Sequence, residues 1–262
     1  MDSFNNKYVL ITGASSGIGE AIALELARQG AHLLLAARST DKLQQVAAQC
    51  LSSGALSADV YPLDMAEKAS ILAFADHCNQ QEHPFDYIIL NAGVSQRAYT
   101  LDTEYVVDEQ IMQTNYLGQV LLVKNLKSLR THRTHFGVTS SISGLFGFPL
   151  RSAYCASKHA LFGFFESLEL ENPHLSVTFL IPGRVNTPIS KSAILSDGSI
   201  YNKMDAGQAN GISVERCARQ AVRAMAKHKH RKLIGGVELL MVYIKKYCPW
   251  LFFRLARKVS AT

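Results

Sequence analysis

The chain has 262 residues, of which 48% are hydrophobic and 18% are charged. That length suits one α/β domain or two small ones, and the composition excludes an intrinsically disordered chain. Its 17 glycines and 7 prolines follow no period, so collagen-like and low-complexity classes are excluded too. The sequence shows neither a signal peptide nor an apolar run of the roughly 18 residues that a spanning helix needs. We therefore expect a cytoplasmic protein.

Positive charge is concentrated at the C-terminal end. The formal net charge is +6, and residues 227–262 hold nine lysines and arginines against one acid, Glu238. The rest of the chain is near neutral, so we expect no nucleic-acid partner, whereas the basic end suits an acidic surface. The five cysteines form no CxxC pair and have no histidine cluster beside them. This pattern indicates a reducing compartment and no metal site.

Strand-like and helix-like segments alternate along the chain. Apolar runs predict strands at 8–12, 31–37, 59–63, 87–90, 136–139 and 177–181. Helical spacing predicts helices at 18–28, 41–51, 66–80, 103–129, 153–170 and 214–228. Strands that are apolar on both faces belong to a parallel sheet covered by helices on both sides. The pattern predicts a doubly wound α/β sheet that binds ligands beyond the carboxyl ends of its strands.

A glycine-rich turn joins the first predicted strand to the first helix. Glycines allow backbone N–H groups to approach a phosphate closely, and the helix N-terminus favours an anion. A plain tight turn would use the same residue type, but the position between strand and helix favours the phosphate interpretation. The candidate residues are Gly13, Ser15, Ser16, Gly17, Ile18 and Gly19.

Arg38 stands at the end of the second predicted strand, where NAD-binding sites usually carry an acid. An arginine there accommodates the 2′-phosphate of NADP, so we favour NADP over NAD. The alternative is a solvated loop cation, with Ser39 or Thr40 capping the next helix. Asp64 follows the third strand and is a candidate for the adenine edge. Its spacing to Glu67 also predicts a helix cap.

Tyr154 and Lys158 lie four residues apart in a predicted helix and therefore share one face. A neighbouring ammonium and a cationic nicotinamide would lower the tyrosine pKa from about 10, as general acid–base catalysis requires. Ser141 ends a predicted strand, where its hydroxyl could hold a carbonyl oxygen. Ser140 and Ser143 are competitors that could equally satisfy local backbone groups.

Six motifs in this order resemble the short-chain dehydrogenase/reductase family over about residues 7–235. They are the turn at 12–19, Asn91-Ala-Gly93, Asn115, Ser141, Tyr154-x-x-x-Lys158 and Pro182-Gly183-x-x-x-Thr187. The resemblance implies one Rossmann-type domain, 1–262, with about seven strands in the order 3-2-1-4-5-6-7. It also implies hydride transfer between a nicotinamide and a carbonyl/secondary alcohol pair. The alternative function is a catalytically silent nucleotide-binding regulator or membrane-associated scaffold.

The resemblance also implies roles on the cofactor side. The three glycines of the turn would bind the pyrophosphate. Asn91 would steady the central sheet, and Gly93 would leave room for the cofactor. Val185 and Thr187 would contact the nicotinamide carboxamide. Many NADP-preferring relatives carry a basic residue where Ser16 stands, which leaves Arg38 alone as the basic determinant.

The catalytic roles follow from the same resemblance. Asn115 would anchor a water in a proton relay, and Ser141 would orient the substrate oxygen. Tyr154 would be the general acid/base. Lys158 would hold the nicotinamide ribose and lower the tyrosine pKa.

Two apolar stretches flank the predicted substrate end. The residues are Leu145, Phe146, Phe148, Leu150, Ile189, Ala193, Ile194, Leu195, Ile200, Tyr201 and Met204. If they line the pocket, the substrate is a lipophilic alcohol or ketone; the alternative is that they pack on one another. The second stretch, dotted with glycine and serine, predicts a mobile lid near 188–212.

The helix at 153–170 is apolar nearly all round, which indicates burial. Because the corresponding helix of the resembled family is a usual subunit interface, we expect a homodimer or homotetramer.

The C-terminal segment 237–262 predicts two short helices divided by Pro249. In the second helix, apolar residues form a stripe on one side, and basic residues with two aromatic residues lie on the opposite side. The stripe is Leu251, Phe252, Leu255, Ala256 and Val259; the other side is Arg254, Arg257, Lys258, Trp250 and Phe253. This distribution suits a peripheral membrane helix, and the alternative is a helix that packs on the body or on a partner subunit.

Overall fold

Seven parallel strands form one sheet in the computed structural model, which describes residues 4–257. Their order, β3-β2-β1-β4-β5-β6-β7, confirms the predicted topology. Lys258 and Val259 of the predicted tail helix lie outside the described residues. The strands are β1 Tyr8–Thr12, β2 His32–Ala37, β3 Ser57–Pro62, β4 Tyr87–Leu90, β5 Thr134–Thr139, β6 Leu175–Pro182 and β7 Arg231–Ile234.

Helices cover both faces of the sheet. They are α1 Gly17–Ala27, α2 Thr40–Ser52, α3 Lys68–Asn79, α4 Tyr105–Met112, α5 Gly118–Asn125, α6 Ser152–Glu171, α7 Ala206–Ala209, α8 Val214–Ala226, α9 Leu240–Tyr247 and α10 Pro249–Ala256. The single helix predicted at 103–129 is wrong in detail. A π-helical turn, Gln113–Leu117, separates α4 from α5, and a short 3₁₀ turn, Lys127–Arg130, follows α5.

The core has two layers because strand side chains alternate between the faces of the sheet. Ile11 and Leu35 belong to the layer that contains residues of α1, α2 and α8. Leu10 and Phe136 belong to the layer that contains residues of α3, α5 and α6. Both layers are largely apolar, which accounts for the hydrophobic runs of the central strands.

The C-terminal segment packs on the body. Phe252 of α10 is only 1% exposed, and its ring lies 4.9 Å from that of Phe146, between centroids. Ala256 completes this small cluster, and Leu145 and Phe148 pack against it. These contacts agree with the packing alternative for one face of α10. Within the described range, no helix combines the length and hydropathy needed to cross a bilayer.

Acid is expected to weaken the fold through His135 of β5. Burial, and then the nearby His228, lower the His135 pKa to about 4, compared with about 6.5 in an unfolded chain. Between these values the unfolded chain binds the proton and the folded chain does not, so the free energy of unfolding falls as the pH falls. We expect a loss of about 2 kcal/mol by pH 5 from this group.

Denaturant titrations at pH 7 and pH 5 measure that loss. In His135→Gln the fall should be smaller, because glutamine does not titrate. The variant His83→Gln, which removes an exposed histidine, should keep the wild-type fall. The same pH dependence in His135→Gln and the wild type would show that His135 is not its source.

Candidate active site

The glycine turn after β1 has no room for side chains at Gly13 and Gly19, because its backbone lies close to neighbouring atoms at both positions and is strained for other residues at the first. Gly13 has a φ of +66°, and a Cβ placed there would come within 2.8 Å of Ala92 Cα. A Cβ on Gly19 would lie 2.6 Å from Asn91 Nδ2. The Thr12 hydroxyl accepts hydrogen bonds from the backbone N–H groups of Asn91 (3.0 Å) and Ala92 (3.2 Å). These contacts fix the turn against the end of β4.

A cavity of about 560 Å³ begins at this turn and continues to Tyr154. It lies at the carboxyl ends of the strands, as expected for this topology. Of the predicted site residues, Gly19 and Asn115 are outside its wall. The wall contains Gly13, Ser15, Ser16, Gly17, Ile18, Arg38, Asp64, Asn91, Gly93, Ser141, Tyr154, Lys158, Val185 and Thr187.

Two cations stand at one end of the cavity. Arg38 and Lys42 both line it and are both exposed to solvent. Sequence reasoning missed Lys42; the available signal was its place in the first turn of α2, four residues after Arg38. The end of the cavity that also contains Asp64 therefore carries more positive charge than Arg38 alone provides.

Asp64 does not form the predicted cap with Glu67. Its carboxylate accepts a hydrogen bond from Ala66 N at 2.9 Å. Helix α3 begins at Lys68, so Glu67 itself occupies the N-cap position and makes no side-chain cap bond. The capping interpretation is wrong because the helix begins four residues after Asp64.

Asn115 lies in the π-helical turn and connects the segment after β4 to α6. Its Oδ1 accepts from Val94 N at 2.8 Å, and its Nδ2 donates to Val94 O at 2.9 Å and to Ser157 Oγ at 3.1 Å. A Cβ on Gly93 would lie 3.0 Å from Asn115 Oδ1 and 3.4 Å from Lys158 Nζ. A side chain at position 93 would therefore fill space in front of these two polar groups.

Ser141, Tyr154 and Lys158 lie together at the far end of the cavity. Lys158 Nζ donates to Thr139 O at 2.8 Å and lies 5.9 Å from the centre of the Tyr154 ring. Ser141 follows β5; its Oγ accepts from Ser143 N at 3.1 Å and donates to Pro182 O at 3.4 Å, and its hydroxyl acts to lower the pKa of Tyr154. Ser140 bonds instead to the backbone oxygen of Lys158. This arrangement distinguishes Ser141 from its two neighbours.

The electrostatics of this end differ from the sequence prediction of a lowered tyrosine pKa. Burial raises the pKa of Tyr154, while the hydrogen bond from Ser141 and then the positive charges of Arg151 and Arg97 oppose that rise. Burial also lowers the pKa of Lys158 to about 8. In the chain itself, desolvation dominates because both groups lie deep in the wall.

The predicted substrate end is more polar than expected. Ile189 and Ile200 line the cavity, whereas Phe146 packs against Phe252. The wall also contains Arg97 and Arg151, which sequence reasoning missed. No local motif marks this pair, because the two arginines lie in separate loops and meet only through Asp205 of the segment 188–212.

Known proteins that resemble the chain show its family. A family model described as short chain dehydrogenase matches residues 7–197. The chain belongs to the short-chain dehydrogenase/reductase family. This dehydrogenase/reductase is 36% identical to the Drosophila melanogaster dehydrogenase/reductase SDR family protein 7-like over 260 residues, which cover 96% of this chain and 80% of the relative. It is also 36% identical to bovine dehydrogenase/reductase SDR family member 7B, over 95% of this chain and 80% of the relative.

Several solved structures have the same fold. A short-chain dehydrogenase/reductase from Burkholderia phymatum in complex with NAD matches with a TM-score of 0.82 at 22% identity, over 96% of both chains. An alcohol dehydrogenase from Thermococcus sibiricus, complexed with 5-hydroxy-NADP, matches with a TM-score of 0.75 at 26% identity, over 89% of this chain and 97% of that one. A short-chain dehydrogenase from Sphingobium yanoikuyae in complex with NADPH gives a TM-score of 0.76 at 21% identity, over 97% of this chain and 98% of that one.

Proposed function

We propose that this protein is an NADP(H)-dependent oxidoreductase that transfers a hydride between the nicotinamide and a carbonyl/secondary alcohol pair. The observation that carries the proposal is the placement of Ser141, Tyr154 and Lys158 in the wall of the cavity that begins at the glycine turn. Family membership supports the reaction class, and the solved relatives with NAD, 5-hydroxy-NADP and NADPH support a nicotinamide cofactor.

The cavity suits such a cofactor. Backbone N–H groups of the turn at the start of α1 would hold the pyrophosphate, because the amino end of a helix favours an anion. The space in front of Gly93 leaves Lys158 accessible for a ribose hydroxyl. Val185 and Thr187 line the cavity and would contact the nicotinamide carboxamide. A bound nicotinamide would supply the hydride for reduction or accept it in oxidation.

The chain's own residues would handle the proton and the substrate oxygen. The Ser141 hydroxyl would donate a hydrogen bond to the carbonyl oxygen and hold it beside Tyr154. The Tyr154 hydroxyl would donate its proton as negative charge develops on that oxygen. Because burial raises the Tyr154 pKa, the hydroxyl stays protonated at neutral pH, which suits reduction. Asn115 would anchor a water in the proton relay.

Turnover on a panel of carbonyl compounds tests this function. Reduction should be followed by loss of NADPH absorbance, with cofactor binding measured separately by fluorescence. Cofactor binding without turnover on any carbonyl or alcohol would favour the alternative, a silent nucleotide-binding regulator or scaffold.

The choice of NADP rests on Arg38 and Lys42. Loss of a charge-assisted bond to the 2′-phosphate costs about 1.5–3 kcal/mol, so Arg38→Ala should weaken NADPH binding by roughly 10–150-fold. NADH lacks this phosphate and should bind nearly as before. Lys42→Ala should have the same selectivity with a smaller effect, since a lysine makes no bidentate contact. Fluorescence titration with both cofactors measures this, and equal losses for NADH and NADPH would contradict the assignment.

We further propose a homodimer or homotetramer that associates through α6. The helix leaves part of its apolar surface uncovered by the chain: Phe164 and Leu168 are only partly buried, and Leu170 is 84% exposed. Leu117, in the π-helical turn, is exposed as well. Such a patch is typical of a subunit contact.

We also propose that the C-terminal segment makes reversible contact with an anionic membrane, near lipophilic substrates in the cytoplasm. Exposed apolar and aromatic side chains support this contact: Leu240, Tyr243, Tyr247, Trp250 and Phe253. The basic residues among them are Lys245, Lys246 and Arg254. The five free cysteines support a reducing compartment.

Vesicle co-sedimentation tests the membrane contact. The protein should bind anionic vesicles better than neutral ones and should dissociate as salt rises, because each basic group contributes about 1 kcal/mol that salt screens. Trp250→Ser should weaken binding without changing the melting temperature. Tyr99→Ser, an exposed aromatic elsewhere on the chain, is the matched control. Equal sedimentation with anionic and neutral vesicles, or none, would contradict the proposal.

A further inference from the structure

A cluster of charged side chains lies at the substrate end of the cavity. The proposed hydride transfer does not require it. Asp205 is buried and accepts hydrogen bonds from two guanidinium groups, from Arg97 Nε at 3.0 Å and from Arg151 Nη2 at 3.3 Å. Arg97 and Arg151 line the cavity. Two cations therefore share one carboxylate, and the cluster keeps a single positive charge. Among the described residues of the cavity wall the one acid is Asp64, which lies by Arg38.

The two arginines differ in how far the protein satisfies them. Arg97 also donates to Ser95 Oγ at 2.9 Å and to the Gln96 carbonyl, so its donors are largely used. Arg151 Nε is buried and has no hydrogen-bond partner within the described part of the chain. The side-chain oxygen of Gln208, another residue of the cavity wall, is also buried and unpartnered there. Arg151 is therefore the less satisfied of the two guanidinium groups on the cavity wall.

The charge of Arg151 is also incompletely compensated. Burial, and then the neighbouring Arg97, lower the pKa of Arg151 to about 10, whereas Asp205 acts in the opposite direction. A further negative partner would stabilise the guanidinium. Arg151 and Arg97 both favour the Tyr154 phenolate, so they lie within electrostatic reach of the reacting hydroxyl.

We propose that the substrate is an oxo acid, or the corresponding hydroxy acid, whose carboxylate binds Arg151. This inference rests on the proposed function. A carboxylate supplies the one negative charge that the cluster lacks, and a planar guanidinium binds it through parallel hydrogen bonds. The carbonyl would lie at Ser141 and Tyr154, and an apolar chain would lie along Ile189 and Ile200. In reduction, hydride from the reduced nicotinamide goes to the carbonyl carbon and the Tyr154 proton goes to its oxygen.

Matched pairs of substrates test the charge requirement. We would compare oxo acids that carry the carbonyl two to four carbons from the carboxylate with the methyl ester of each acid. The kcat/KM for the best acid should exceed that for its ester by about 10–150-fold. In Arg151→Gln the rate for the acid should fall by a larger factor than the rate for the ester, so that the acid loses this advantage, and Arg151→Lys should restore part of it. Arg223→Gln, an exposed cation of α8, should change neither rate.

Binding without turnover gives an independent measurement. With NADP+ present, octanoate should bind the wild type more tightly than octan-1-ol does, and Arg151→Gln should remove that difference while its melting temperature shows an intact fold. Equal rates for acid and ester in the wild type, or equal losses of both in folded Arg151→Gln, would overturn the oxo-acid assignment and leave hydride transfer standing. Turnover with neither acids nor neutral carbonyls would contradict the proposed function, whereas octanoate binding would still test the cluster.

Discussion

Replacement of Tyr154 by phenylalanine is expected to lower kcat for carbonyl reduction by roughly 10²–10⁴-fold, the usual contribution of a positioned acid. Phenylalanine keeps the ring in its buried position in α6 but removes the proton that the substrate oxygen would receive in the proposed reaction. Cofactor affinity should stay near the wild-type value, because the hydroxyl belongs neither to the glycine turn nor to the basic end of the cavity near Asp64. Steady-state kinetics and cofactor titration measure the two effects separately.

Lys158→Ala provides the comparison for that result. Lys158 is proposed to hold a ribose hydroxyl and to act electrostatically on the tyrosine, so its loss should weaken cofactor binding and turnover together. A Tyr154→Phe protein that reduces carbonyls at the wild-type rate would remove Tyr154 from the mechanism. Equal loss of cofactor affinity in both variants would point to a structural role for the hydroxyl.

Phe252→Ala is expected to destabilise the protein by about 3–5 kcal/mol, the usual cost of truncating a buried phenylalanine. Its ring is 1% exposed and fills the space beneath Phe146. Truncation would remove this contact and leave a cavity between α10 and the loop that follows Ser141. Denaturant titration gives the free energy of unfolding directly.

Phe253→Ala is the matched control because this neighbouring ring is 52% exposed. It should change stability by less than about 1 kcal/mol and should instead weaken vesicle binding. Comparable destabilisation by the two substitutions would contradict the packing described for α10. The two substitutions also separate packing on the body from the proposed membrane contact. Removal of all residues after 236 would abolish both at once.

The central part of the fold could be predicted because its strands are buried on both faces. β1 and β4 coincide with the predicted runs, β5 and β6 extend theirs, and β2 begins one residue after the predicted start. The sheet edges gave weaker signals: β3 begins at Ser57, two residues before the predicted strand, and β7 has an exposed Arg231 at its start. An edge strand needs apolar side chains on less of its surface, so hydrophobicity alone marks it poorly.

The site divides in a similar way. Residues that act through local motifs, such as the glycine turn and the Tyr154–Lys158 pair, could be placed from spacing along the chain. Arg97, Arg151 and Asp205 could not, because their contact joins positions far apart in sequence. The helix cap predicted at Asp64 was wrong for a related reason: the spacing was correct, but the chain enters α3 later. The roles of these residues stay predictions.

The contact between Phe146 and Phe252 has a consequence for exchanging parts between relatives. A C-terminal segment transplanted from another member of the family would have to carry a ring, or a matching small residue, suited to the loop at 142–148. Such a chimera should therefore fold best when the loop and the tail come from the same parent. The loop leads directly from Ser141, so a mismatched graft would disturb this serine although the transplanted residues are far from it in sequence.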